Sequence, residues 1–300
     1  MCHLFFLILM LGLNSNLFSG VENHLVKITN KSDGQLHQIR NIDFIYMINL
    51  DRRPEKFEQS AVQLNPFGVY PFRFPAIYGK KLTLEQINDL GVKLEPWMTS
   101  GQWGTSYLDE SLQPVHDIVH VLGRNYFCHC MGRGPIAIVL SHLSVLQDAY
   151  DSGYKTIWVM EDDIQVLRDP NLLSGLIDKL DKLVEKKWDI LFTDKDTKNN
   201  RGEYVPCLGY AWRPNFAPQN PGRFAEQKII SPDFKKVGAR YGAYSMIVRR
   251  SGMKKILKFI KKHQIFLPYD MEFYLPNDIK MYAVNEDIIS TLPQALSDNN

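Results

Sequence analysis

Two short apolar runs stop abruptly in polar clusters: IDFIYMINL at residues 42–50, followed by Asp51, Arg52 and Arg53, and TIWVM at 156–160, followed by Glu161, Asp162 and Asp163. A strand without polar alternation is buried on both faces, so helices must cover the sheet on each side. Such sheets bind ligands at the carboxyl ends of their strands, which is where both polar clusters fall.

The intervening segments supply the helices. DRRPEKFEQSAVQL places Phe57, Ala61 and Leu64 on one stripe, with Pro54 in the first turn. Thr83-Leu84-Glu85-Gln86 has the spacing of a capping box. From Gly134-Pro135, Ile136, Val139, Leu140, Leu143, Leu146 and Tyr150 repeat at helical spacing, and Gly153 is placed to end the helix. Further strands are expected at 188–193, 243–248 and 280–284, with helices near 171–186 and after Ser251, which can cap. Strands alternating with helices predict an α/β fold with a mostly parallel central sheet flanked by helices.

Residues 1–20 hold an apolar run, Leu4 to Leu13, and read as a signal peptide or short hydrophobic leader, although the first residues carry no Lys or Arg. The run is shorter than the roughly twenty residues a spanning helix needs. A leader of this kind directs a chain to the secretory pathway, or to an exported or membrane-associated state. Residues 21–40 are expected to be a linker or loosely docked arm, and 41–297 the main domain, with an insertion at 95–133 and a long aromatic loop at 199–235. No later segment is apolar and long enough to span a bilayer. A net charge of +2 with dispersed Lys and Arg gives no nucleic-acid footprint. The dense basic stretch with Lys254, Lys255, Lys258, Lys261 and Lys262 reads as the solvated face of an amphipathic helix.

Glu161, Asp162 and Asp163 offer hard carboxylate oxygens for a divalent cation, the common means of neutralising a nucleotide diphosphate. On an extended backbone Glu161 and Asp163 point to the same side and could reach one ion, while Asp162 faces away or caps the next turn. Asp51 is either a ligand for a ribose hydroxyl or uracil edge, or a helix cap. His116 and His120 at i, i+4, followed by Cys128-His129-Cys130, form a set that could bind Zn²⁺, though not with the usual Cys spacing.

In order, INLDRRPEKF, FPAIYG, GRGPIAIVLSH, IWVMEDDI, WDIL, YGAYSMIVRRSGMKKIL and LPYDMEF resemble glycosyltransferase family 25, which includes lipooligosaccharide and procollagen galactosyltransferases. The resemblance runs from about residue 42 to about residue 297. It implies a GT-A-like nucleotide-sugar-binding fold, a donor that is often UDP-galactose, inversion at the anomeric carbon, and Mn²⁺ (or Mg²⁺). The acceptor class it implies is a hydroxyl on a glycan, glycolipid or protein. Carried over by position, Asn49, Asp51 and Arg52 match the first-strand motif where the donor docks, and Ala76 and Gly79 match the second. Ser141 and His142 match the motif before the acidic cluster. That cluster assigns Glu161 and Asp163 to the metal and Asp162 to the donor. The family places an Asp within LPYDMEF, so Asp270 and Glu272 are the candidate catalytic bases, with Asp194 in reserve. Two other classes compete: a non-catalytic glycan- or nucleotide-binding protein retaining the fold, and a different metal-dependent enzyme acting on phosphates.

Overall fold

A computed structural model describes residues 20–292; the expected leader, all but its last residue, and the chain beyond 292 lie outside the described residues. In chain order the strands and α-helices are β1 (Phe44–Asn49), α1 (Pro54–Leu64), β2 (Phe72–Pro75), α2 (Leu84–Leu90), β3 (Val92–Lys93), β4 (Trp103–Tyr107), β5 (Pro114–Ile118), β6 (Asn125–Cys128), α3 (Arg133–Asp151), β7 (Thr156–Glu161), β8 (Ile164–Val166), α4 (Leu172–Leu183), β9 (Ile190–Phe192), β10 (Gln227–Ile229), β11 (Phe234–Val237), β12 (Ser245–Arg249), α5 (Arg250–His263), α6 (Tyr269–Glu272), β13 (Met281–Val284) and β14 (Ile289–Thr291).

Eight strands form the central sheet in the order β10-β11-β13-β9-β12-β7-β1-β2. The pairings β1–β2, β1–β7 and β9–β13 are parallel. Because β12 is antiparallel to both β7 and β9, those two strands run the same way, and the sheet is mixed. The two faces divide the strand residues with period two. Phe44, Tyr46, Ile48, Ile157 and Val159 share one core with α3 and α5 residues such as Leu140, Leu143, Met253 and Ile256. Ile45, Met47, Trp158 and Met160 share the other with Leu64 of α1 and Leu173, Ile177 and Leu180 of α4. The result is the expected α/β architecture, a sheet sandwiched between helices.

Local signals are met where backbone chemistry controls them. Thr83 and Gln86 form the capping box of α2, and Gly153 takes the left-handed conformation just past α3 with φ +77°. Ser251 is a correction: α5 is capped at Arg249, and Ser251 lies inside the helix with Oγ donating to Asp189 Oδ1 at 2.6 Å. Residues 21–40, expected to be a linker, lie against the body. Val21 is buried, the Val26 amide donates to Ser144 Oγ at 2.9 Å, and the Ile45 amide donates to the Gly34 carbonyl at 2.8 Å.

The insertion at 95–133 supplies most of a separate four-stranded antiparallel sheet, β3-β6-β4-β5. Within 199–235, Trp212 and Phe216 pack against the core beside Phe266 and Phe259, whereas Tyr204 and Tyr210 remain exposed. No helix among the described residues is long and apolar enough to cross a membrane.

Candidate active site

Since β1, β7 and β9 share a direction, their carboxyl ends meet at one edge of the sheet, and a cleft of about 370 Å³ opens at the β1 and β7 ends. Its lining combines Glu161, Asp162 and Asp163 with Lys56, Lys80, Arg133 and the first turn of α3.

The acidic turn is held rigidly from three sides. Asn49, buried at the end of β1, donates from Nδ2 to Asp162 Oδ2 and to the Arg53 carbonyl, and its Oδ1 accepts from Arg73 Nε at 2.7 Å. Ser60 of α1 donates to the Asp162 carbonyl at 2.7 Å. The Leu292 amide donates to the Asp163 carbonyl at 3.0 Å. Strand β7 ends at Glu161, so Asp162 and Asp163 occupy a turn, and the extended alternation expected for the triplet does not continue. All three acids line the cleft.

His142 is buried on α3 and positions Glu161: its Nε2 lies 2.9 Å from Glu161 Oε1. The imidazole also stacks on Tyr269, with ring centroids 4.2 Å apart. Ser141 lines the cleft with its hydroxyl already engaged, accepting from the Ile77 amide at 2.9 Å and donating to the Ala137 carbonyl at 2.7 Å. Its effect is to fix the segment after β2, where Ala76 donates its amide to the Asn49 carbonyl at 2.9 Å. Gly79 is packed so tightly on α3 that a Cβ would lie 2.4 Å from the Arg133 carbonyl oxygen. That approach sets the width of the cleft between Ala76–Gly79 and the start of α3.

Asp51 and Arg52 are exposed and do not line the cleft. Arg52 reaches its rim through Tyr78, donating from Nη1 to the phenol oxygen at 2.7 Å. The helix-cap reading of Asp51 is not met, because Arg53 occupies the cap of α1. Sequence reasoning missed Lys56, Lys80 and Arg133, whose only signal was their position within or directly after the motifs that carried the resemblance.

The fit of a divalent cation rests on Asp163. Burial, and then the charges of Glu161 and Asp162, push its carboxyl up to about 7, with Lys56 opposing. Asp163 Oδ1 is buried without a hydrogen-bond partner. A cation would relieve both penalties, so the residues fit one. Among the described residues no three His, Cys, Asp or Glu side chains are already gathered as a metal cage. A Mg²⁺-like ion bound by one or two carboxylates together with substrate phosphates needs no such cage. The zinc reading is corrected on the same ground: His116 lies on β5 and bonds Thr105 Oγ1 at 3.0 Å, His120 Nδ1 meets the Ile118 carbonyl, and Cys128 pairs with Cys130.

Asp270, half-buried on α6, accepts from the Gly242 amide at 3.1 Å. Burial raises its pKa, Gly242 opposes, and the nearby Glu161 charge raises it further. It does not line the cleft but lies within electrostatic reach of Glu161 and His142. Glu272 is a correction. Its side chain is 0% exposed and bound to the equally buried Arg213, and Oε1 also accepts from the Phe266 and Leu267 amides at 2.8 and 2.6 Å. It cannot meet a substrate. Asp194 is likewise enclosed by Arg240, Tyr244 and Ser290.

The chain is 30% identical over 125 residues to a Glycosyltransferase 25 family member of Drosophila melanogaster, covering 42% of this chain and 16% of that protein. It is 27% identical over 190 residues to one of Anopheles gambiae, covering 57% and 26%. For one of Aedes aegypti the values are 27% over 162 residues, covering 50% and 21%. The aligned part therefore spans about a quarter or less of these relatives' length. A family model described as "Glycosyltransferase family 25 (LPS biosynthesis protein)" matches residues 42–273, and the chain belongs to that family.

Proposed function

We propose that the chain transfers a hexose, galactose by family resemblance, from a UDP-sugar to a hydroxyl of a glycan, glycolipid or hydroxylated side chain, with inversion. The observation that carries this reading is the charge pattern of one cleft: three carboxylates at the end of β7 face Lys56, Lys80, Arg133 and the start of a 19-residue helix. A diphosphate with a divalent cation matches both halves, its anionic oxygens towards the bases and helix amides and its cation towards the acids.

In this reading Glu161 and Asp163 hold Mn²⁺ or Mg²⁺, which when bound offsets the charge of the departing nucleotide. Asn49 fixes Asp162, and His142 fixes Glu161, so neither carboxylate need reorganise when the donor enters. Lys56, Lys80 and Arg133 stabilise the diphosphate as the bond from the anomeric carbon to its oxygen breaks. Asp270 takes the proton of the acceptor hydroxyl as that oxygen attacks the opposite face of the sugar. A carboxyl raised by burial is a better proton acceptor near neutral pH than an ordinary one. The Gly242 amide orients it and opposes part of that rise.

The test is donor hydrolysis and transfer with a panel of UDP-sugars, with and without Mn²⁺. Asp163→Asn should remove the metal dependence together with most turnover. Asp270→Asn should leave UDP affinity within about threefold while transfer falls at least ~100-fold, the usual contribution of a general base. Undiminished transfer by Asp270→Asn would place the base elsewhere. Nucleotide binding with no turnover of any donor would favour the non-catalytic reading.

A further inference from the structure

Strand β6 ends in a turn that no part of the proposed reaction uses. The Met131 amide donates to the Cys128 carbonyl at 3.0 Å, and this turn folds Cys130 back onto Cys128 until their sulfurs are 2.9 Å apart. Cys128 is buried and Cys130 exposed. The third described thiol, Cys207, is buried elsewhere and directed at the Gly209 carbonyl at 3.4 Å.

We infer that Cys128 and Cys130 form a redox modification site: a dithiol that reacts with a low-molecular-weight disulfide, closes to an internal disulfide, and slows sugar transfer while closed. The exposed Cys130 thiolate attacks one sulfur of the small disulfide and displaces one thiolate. The Cys128 sulfur, losing its proton to solvent, then attacks Cys130 Sγ and displaces the second thiol. Two protein thiols become one disulfide as the small disulfide is reduced to two thiols, so electrons balance.

Access and ionisation at Cys130 favour the first attack, and the closeness of Cys128 favours closure against the burial that holds its proton. The attacking sulfur must be accessible and ionised, and the resolving sulfur close. Hydrogen bonding from the Cys128 thiol lowers the Cys130 thiol to about 7, while the same bond and burial raise Cys128. The sulfurs need to approach by less than 1 Å to reach a disulfide length of about 2.05 Å. A ring closed across a single intervening residue is constrained, and strained, exposed disulfides are the readily reduced kind.

The link to transfer runs through the backbone. The Cys128 amide donates to the Phe266 carbonyl at 2.8 Å, and the segment from Phe266 leads directly into Asp270. On its other side the same turn leads into Gly132 and Arg133 at the cleft. Re-forming the turn around a disulfide therefore displaces the acceptor-side carboxylate relative to the donor. A misplacement of about 1 Å can cost up to ~100-fold, and we expect a fall on the order of tenfold.

This coupling rests on the Asp270 reading, whereas the thiol chemistry does not, and the experiment separates them. The full chain is equilibrated in glutathione buffers of graded oxidised-to-reduced ratio, acid-quenched, alkylated and mapped by peptide mass. Transfer is measured on parallel samples before and after dithiothreitol. The expected result is a linked Cys128–Cys130 peptide with Cys207 alkylated, a reversible loss of transfer on the order of tenfold, and no redox response in Cys130→Ser or Cys130→Ala. Both thiols alkylated at every ratio, or glutathione retained on Cys130, would overturn the site. A linked peptide with unchanged transfer would overturn the coupling. A chain that closes the disulfide but transfers no sugar in either state would count against the proposed reaction and leave the dithiol standing.

Discussion

Glu272→Gln separates a structural carboxylate from a catalytic one. Gln keeps an acceptor for the Phe266 and Leu267 amides, so the substitution removes chiefly the charge facing Arg213. Arg213 is 0% exposed, with Nη2 on the His263 and Gln264 carbonyls at 2.7 and 2.8 Å and Phe259 and Phe266 packed about it. It has no route to water that keeps these contacts. Breaking a buried pair by removing one partner costs about 3–5 kcal/mol, because the remaining charge is uncompensated. A domain of this size loses about 2–4 °C per kcal/mol, so melting should fall by about 10 °C. Below the melting transition, transfer should stay within about threefold of the parent. Adding Arg213→Met should recover part of the lost stability by removing the stranded charge. Calorimetry paired with a transfer assay at 15 °C reads both quantities. If melting is unchanged and transfer collapses, the assignment of Glu272 to the core is wrong and it, not Asp270, handles the proton.

Three further outcomes follow from the cleft. Gly79→Ala places a Cβ against backbone on α3, 2.4 Å from the Arg133 carbonyl oxygen, so stability should drop by about 1–3 kcal/mol and UDP affinity should weaken; Gly175→Ala, with open space around its Cβ, should do neither. Asp163 is raised from 3.8 to about 7 on folding, so its contribution to stability is full below about pH 4 and is lost as pH rises through 7. A bound cation must displace that proton, so Mn²⁺ should raise the melting temperature more at pH 8 than at pH 6, and equal shifts would sink the metal assignment. His142→Phe keeps a ring against Tyr269 but loses the bond to Glu161 and should weaken Mn²⁺ binding by about 10–100-fold, while unaltered affinity in a metal titration would show that Glu161 needs no partner.

Much of the fold was legible because it depends on signals that survive in one dimension. Apolar runs gave β1 and β7, helical spacing gave α3, and Thr83 with Gln86 gave the start of α2. Strand direction carries no such signal. The chain leaves β9 at the carboxyl edge, adds the antiparallel pair β10 and β11 beyond β13 with no α-helix between residues 193 and 244, and enters β12 from the carboxyl edge, so β12 runs antiparallel to its neighbours. Strands β8 and β14 pair over only three residues each, too few for a period to show.

The site was legible as composition but not as orientation. Asp270 and Glu272 are two residues apart, which on an extended chain would aim them the same way. On α6 they diverge by about 200°, one towards Gly242 and the other into the core against Arg213. The acid triplet failed in the same manner, because β7 ends at Glu161 and the turn resets the alternation. What no linear pattern could reveal is how the two halves of the proposed site are joined. His142 meets Glu161 through one nitrogen and Tyr269 through its ring face, and Tyr269 is the immediate neighbour of Asp270. A single buried imidazole thus spans residues 142, 161 and 269, so the carboxylate proposed to hold the cation and the one proposed to take the proton are registered to the same ring.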